Sequence, residues 1–281
     1  MEKLFFIFLF LASILGIDLY AKDILQKKYL YELGVGFFWA KFPDYPGANH
    51  SQEIYLPYPS AIYRGEILRA EREDGVQGRI VNKKWIKIDL SMDGTFPAKS
   101  SDNPVRAGMP DLGPILEFGP RLSLYMLREK DGQPFDLSIN FASRYNFSSD
   151  LKTWVHRGFS LNPFISLKKE GVFKKEDIYF FSLSVKLASK RLMDFYYQVD
   201  QIYETSFRNS FHAKSGLLEV SVAFGLFYPF KNDIWLLLGG IFPFHQNASN
   251  AGSPLLVNKS TSTLIVGLNW NFHKSKTFVY E

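Results

Sequence analysis

The side chains best suited to chemistry in this 281-residue chain are five histidines and a scatter of acid and base residues, and cysteine is absent. Without thiols the chain has no disulfides, no thiolate metal sites and no sulfur nucleophile. His50, His156, His212, His245 and His273 stand singly. A hydrolase working at a membrane surface would bring a histidine, a serine and an asparagine or acid to one point. No His-x-Ser-Asn arrangement occurs; His50 directly precedes Ser51, and neighbours along an extended chain point apart. No spacing of His, Asp and Glu suggests a metal. Gly34 and Gly36 fall inside an alternating stretch, where small residues relieve crowding rather than cradle a phosphate. Arg106, Asp111 and Asp102 share a segment rich in turn formers. They could line a carbohydrate or ion site; the plainer reading is charges that brace a loop. No catalytic, cofactor-binding or metal-ligating set is assigned.

A second group of polar residues is more informative because of its spacing. Phe135, Leu137, Ile139 and Phe141, then Tyr145 and Phe147, alternate with Asp136, Ser138, Asn140, Ala142, Arg144 and Asn146. Successive side chains of a strand point to opposite faces, so one face is apolar and the other polar. The pattern recurs in segments of about ten residues, the signature of a transmembrane β-barrel whose lipid-facing and lumen-facing residues alternate. The lumen-facing charges are then Glu32, Lys87, Asp89, Glu117, Arg121, Asp136, Arg144, Lys168, Lys186 and Glu219. A lining of one sign would argue for an ion-selective pore. Mixed signs fit either a narrow polar channel or a lumen plugged by salt bridges, since interior charges must pair or meet water.

Clean alternation spans 31–40, 86–93, 116–126, 135–147, 159–168, 179–190, 218–226 and 263–272. Four segments are weaker. Segment 54–63 carries Pro57 and Pro59, which remove ladder donors and suggest a bent or edge-like strand. Segments 67–71 and 76–81 are short and charged, and 235–244 is apolar on both faces. Together they predict an all-β fold, an antiparallel barrel of about 12 strands, an even number as bacterial barrels have. Long outer loops then fall at 42–53, 94–112, 148–156, 191–214 and 247–260, with a short exception at 72–75; short periplasmic turns lie between them. A soluble β-sandwich also alternates, but its strands run to about five or six residues. Tyr125, Tyr145, Phe147, Tyr228 and Trp270 lie near segment ends, where amphipathic rings sit at headgroup depth.

Composition agrees. Aromatic residues make up 17% of the chain, with 27 Phe and 15 Tyr, yet the mean hydropathy is only -0.09, as expected when half of each strand is polar. The net charge of +5 is interspersed rather than gathered in a patch, which argues against nucleic-acid binding. Lys3, the apolar run 4–15, Gly16 and Ala21 read as a signal peptide over residues 1–21. The expected organisation is that peptide, a barrel over 22–272 and a periplasmic tail over 273–281, in the outer membrane and in contact with its lipid.

Some residues go beyond a generic barrel. Pro43-Asp44-Tyr45-Pro46-Gly47 is followed by Leu56-Pro57-Tyr58-Pro59 and Tyr63-Arg64-Gly65. Later come the run from Arg106 through Gly108 and Asp111 to Gly113, then Phe118-Gly119-Pro120, then Phe195-Tyr196-Tyr197-Gln198-Val199 and Ala213-Lys214-Ser215-Gly216. In this order they resemble the MipA/OmpV family, the MltA-interacting proteins of the outer membrane, over about residues 29–272. The resemblance implies a barrel without known catalysis or cofactor and a scaffold role that holds a murein lytic transglycosylase and a murein synthase together. The first alternative is a small-solute outer-membrane channel; an outer-membrane hydrolase is the remoter one.

Overall fold

The computed structural model describes residues 27–72, 75–150, 152–231 and 233–280. The signal-peptide expectation for residues 1–21 lies outside them. A three-residue strand β1 (Lys27–Tyr29) precedes the barrel strands β2 (Tyr31–Pro43), β3 (Ser51–Arg64), β4 (Leu68–Glu71), β5 (Gly75–Asn82), β6 (Ile86–Thr95) and β7 (Ile115–Leu127). Then follow β8 (Asp136–Ser149), β9 (Trp154–Glu170), β10 (Ile178–Ala188), the helix α1 (Lys190–Tyr197), β11 (Gly216–Lys231), β12 (Ile234–Phe244), β13 (Thr263–Lys274) and the short β14 (Phe278–Tyr280). Strands β2 to β13 close into a barrel in chain order, with β13 pairing antiparallel to β2. The expected twelve strands are present. No helix among the described residues is long and apolar enough to cross a membrane.

Closure satisfies most of the strand backbone against neighbouring strands, as hydrocarbon demands. The side chains then sort by parity. On β2, Leu33, Val35 and Phe37 are exposed on the outside, while Glu32 and Ala40 are buried within. Lys41 and Glu53 pair at 2.9 Å near one end of this band, and Tyr31 stacks on His273 near the other. Exposed rings gather at both ends of the wall: Tyr55, Tyr145 and Trp154 on the loop side, Tyr63, Trp85 and Trp270 on the turn side. Tyr125 departs from the expected girdle. Its register partner is the inward Ser138, and Arg128 lies over its ring at 4.4 Å, so it lines the interior.

The last strand runs to Lys274, two residues past Phe272. The chain beyond it turns back as β14 and pairs with β1. Leu30 N–H donates to Thr277 O at 3.0 Å and Arg64 N–H to Leu30 O at 2.8 Å, which ties both ends of the described chain to the turn side of the barrel.

Candidate functional site

The register turns all ten lumen charges inward and groups most of them on one wall. Asp89, fully buried, accepts two bonds from Arg121, from Nε at 3.0 Å and Nη2 at 2.9 Å, and faces Lys87 Nζ at 3.2 Å. Lys87 also donates to Gln77 Oε1. Glu117 accepts from Lys186 Nζ at 2.6 Å and from Ser160 Oγ at 3.2 Å; Glu219 stands beside Lys186 in the ladder. Arg144 reaches back to Ser91 and Asp93. Asp136 accepts the Glu129 N–H, and Lys168 pairs with Glu170, both near the turn end. Glu32 sits apart, held by Arg64 at 2.9 Å, Arg72 at 3.2 Å and Asn271 at 2.8 Å. Opposite signs in contact at this depth compensate one another's lost hydration. Of the two fillings that mixed signs allowed, the salt-bridged one describes this wall.

The facing wall, from β11 through β3, is different. Its inward positions include Phe38, Leu56, Tyr58, Phe227, Trp235, Leu237 and Ile265. Strict alternation does not mark them: the apolar double face of segment 235–244 was the one hint, and it reflects an apolar lumen wall. Glycines make room for the rings. A Cβ on Gly36 would lie 2.2 Å from Tyr58 Cζ, and one on Gly225 would lie 2.2 Å from Phe180. Behind this wall a cavity of 260 Å³ is bounded by Tyr58, Ile62, Phe227, Trp235 and Leu237, with Arg72 over the Trp235 ring at 3.9 Å.

The outer mouth carries a third structure. Segments 44–50, 96–114, 189–215 and 245–262 fold over it around their own core, which includes Tyr45, Leu112, Leu192, Met193, Tyr196, Tyr197, Val199 and Leu255. α1 supplies its centre. Leu192, Met193, Tyr196 and Tyr197 recur at helical spacing and are all buried. Tyr197 Oη donates to Pro46 O at 2.9 Å, Tyr45 Oη donates to Leu255 O at 2.8 Å, and Ser253 Oγ donates to Tyr197 O at 2.9 Å. Arg106 Nη1 donates to Tyr196 O at 3.2 Å. Burial holds Tyr45 and Tyr197 well above the usual phenol range, so both hydroxyls stay protonated donors.

The loop residues singled out in the sequence meet in this cap. Pro43 ends β2. Gly47 takes φ +78, and its carbonyl accepts from Val257 and Asn258. Gly108 also takes a positive φ, +82. Asp111 accepts the Ser100 N–H at 2.7 Å. A Cβ on Gly113 would lie 2.8 Å from Ser149 O. Arg106 and Asp111 therefore brace the loop, as the plainer reading had it. Sequence reasoning missed Arg208, almost fully buried, which donates to Val105 O, Ala107 O and Tyr203 O and pins one loop to another. A lone arginine between Phe207 and Asn209, in a stretch without alternation, gives no periodic signal.

The histidines do not converge. His50 pairs with Asp44 at 2.9 Å, which also accepts from Asn103. His156 contacts Arg191, His212 contacts Gln198, and His273 stacks on Tyr31. His245 is buried between Leu218 O and Thr261, and burial lowers its pKa. Among the described residues no three His, Asp or Glu side chains are placed to hold a metal ion.

An antiparallel closed barrel with a lipid-facing exterior, a partly ionic interior and aromatic rims defines an outer-membrane β-barrel protein. The chain belongs to the family described as MltA-interacting protein MipA, which matches residues 33–272. Among solved structures it is similar to the NanC porin, with 13% identity and a TM-score of 0.36 over 86% of this chain and 98% of that one. It is also similar to the translocator domain of the autotransporter NalP from Neisseria meningitidis, with 8% identity and a TM-score of 0.38 over 96% of each chain. The toluene transporter TbuX of Ralstonia pickettii follows at 9% identity and a TM-score of 0.31, over 88% of this chain and 90% of that one. No curated protein matches the chain.

Proposed function

We propose that this barrel is a non-enzymatic scaffold of the cell envelope, which holds murein-processing enzymes at the outer membrane. The observation that carries the reading is the packed cap. A diffusion pore needs a continuous wet path, whereas here Leu192, Met193, Tyr197 and Val199 are fully buried across the outer mouth. A structure that seals its outer end and braces its interior with ion pairs is suited to being a rigid anchor. The family's description as MltA-interacting protein supports the reading; a murein lytic transglycosylase is the expected first partner and a murein synthase the second. Export by the N-terminal signal and a turn side facing the periplasm belong to the same proposal. Crosslinking in intact envelopes followed by affinity purification of the barrel tests it. Enrichment of a murein transglycosylase or synthase is the expected result, and recovery of neither removes the scaffold role.

A further inference from the structure

The barrel wall is not sealed everywhere along its outer half. β4 pairs with β3 only at Tyr63↔Ala70 and Arg64↔Arg69. β5 pairs with β6 no farther up than Gln77↔Ser91. Above these points, no strand among the described residues pairs with β3 from Ser51 to Ile62, on the side away from β2, or with β6 from Met92 to Thr95, on the side away from β7. At the outer rim the two sides meet again, where Gln52 Nε2 donates to Pro97 O at 3.1 Å.

The free edge is chemically prepared. Arg64 N–H donates to Leu30 O, and the β2–β3 register runs without a shift. Even-numbered residues of β3 therefore bond to β2, and odd-numbered ones turn to the free side. Pro57 and Pro59 are odd, so two donors that would hang unpaired in hydrocarbon do not exist. Across the gap, Lys83 N–H donates to Ile86 O, which places the even-numbered groups of β6 on the free side. There the Gly94 N–H is met by the Asp93 carboxylate at 2.8 Å. The same prolines count against a strand from a partner protein as the occupant, because ladder pairing needs the donors that they lack.

The 260 Å³ cavity lies directly behind this edge. Its boundary runs along five consecutive residues of β3, Tyr58 to Ile62, and carries the polar Glu71, Arg72 and Asn269 as well as the apolar Phe227, Trp235 and Leu237. Pro57 and Pro59 stand opposite Phe37 and Val35, both exposed in the lipid-facing band. The free side of β3 therefore borders the lipid-facing band at the residues next to the cavity. A cavity of about 150 Å³ with apolar walls already accommodates benzene, and Tyr58, Ile62, Phe227, Trp235 and Leu237 form the apolar part of this larger one. The geometry points to a lateral binding site for an uncharged hydrocarbon group, a single ring or a short acyl segment, which enters from the bilayer past Pro57 and Pro59 and rests against Tyr58, Phe227 and Trp235. The group could belong to a membrane-dissolved solute or to a lipid chain.

The absence of cysteine makes a clean test available. Ser60→Cys, and independently Leu237→Cys, is introduced into the full chain in phosphatidylcholine liposomes. Each thiol should react faster with bilayer-soluble N-phenylmaleimide than with a sulfonated maleimide supplied in the water. Toluene at about ten times its Kd should slow that reaction about tenfold, as simple occupancy requires. A bimane fluorophore on the thiol of the Ser60→Cys variant reports the other source, through quenching by phosphatidylcholine brominated along its acyl chains. Protection by toluene identifies a dissolved solute, and quenching that toluene does not relieve identifies a resident lipid chain; either supports the site. Two correctly folded variants that favour the sulfonated reagent, and show neither protection nor quenching, overturn it.

Discussion

At the scale of single residues, charges inside the barrel are held by contact rather than by water. Asp89 is the clearest case, with a bidentate arginine on one side and a lysine on the other. A carboxyl with less support lies at the turn end. Glu129 opens the 3-10 turn Glu129–Asp131, accepts the Glu170 N–H at 3.1 Å, and faces the Glu170 and Asp136 carboxylates with Lys168 as the compensating cation. Burial is the main cause that pushes it up to about 7, with the neighbouring carboxylates adding to the shift. A carboxyl raised in the folded state contributes stability fully present below its unfolded value, and that contribution is lost as pH rises through about 7. The urea midpoint of the barrel should therefore fall between pH 6 and pH 8. Glu129→Gln should flatten that fall, which paired unfolding curves at the two pH values would reveal.

Among elements, α1 carries more than its eight residues suggest. A helix this short is marginal by itself. Its apolar face is what holds the four outer segments to one another, through side-chain packing and through the carbonyls of Tyr196 and Tyr197. Met193 is completely buried in that core. Met193→Ala should cost the cap about 2–5 kcal/mol, the usual range for emptying a fully buried site. The barrel strands rest on a separate hydrogen-bonded ladder and should keep their own stability. Hydrogen exchange read segment by segment would show the split: faster exchange in 96–114 and 189–215, with β7 to β9 unchanged.

For the whole molecule, twelve strands fall between small barrels filled by side chains and the larger porins that hold a water channel. This one is filled unevenly, ionic along β6 to β9 and aromatic along β11 to β3. It is closed above by the cap, and at the side beside the short β4–β5 hairpin no strand among the described residues pairs with the upper part of β3. Planar-bilayer recording should give no steady porin-like conductance from the intact protein. Removal of residues 190–214 should raise the conductance. Stable large steps from the intact protein would instead favour a solute channel.

The sequence alone determined the class of fold and the strand count, because a two-residue period over ten-residue segments has few physical realisations. The alternation of long and short connections holds only in part, since the expected long loop at 148–156 shrinks to the link from Ser149 to Trp154, shorter than the turn-side link from Leu127 to Asp136. The sequence also marked β3 as bent or edge-like, because Pro57 and Pro59 have no N–H to donate to a ladder whatever surrounds them. Only the tertiary structure decided what the interior is. Pairing of Glu117 with Lys186 joins residues 69 apart, and the knot at Tyr197 joins residues 151 apart. No local pattern encodes such contacts. Pro43, Gly47, Asp111 and Tyr197 were visible as turn formers and aromatics, but their convergence into one cap depends on how barrel closure brings the loop ends together. The aromatic wall stayed hidden for a related reason. A strand that is apolar on both faces gives no alternation, and only closure decides which of its faces meets lipid and which meets the lumen.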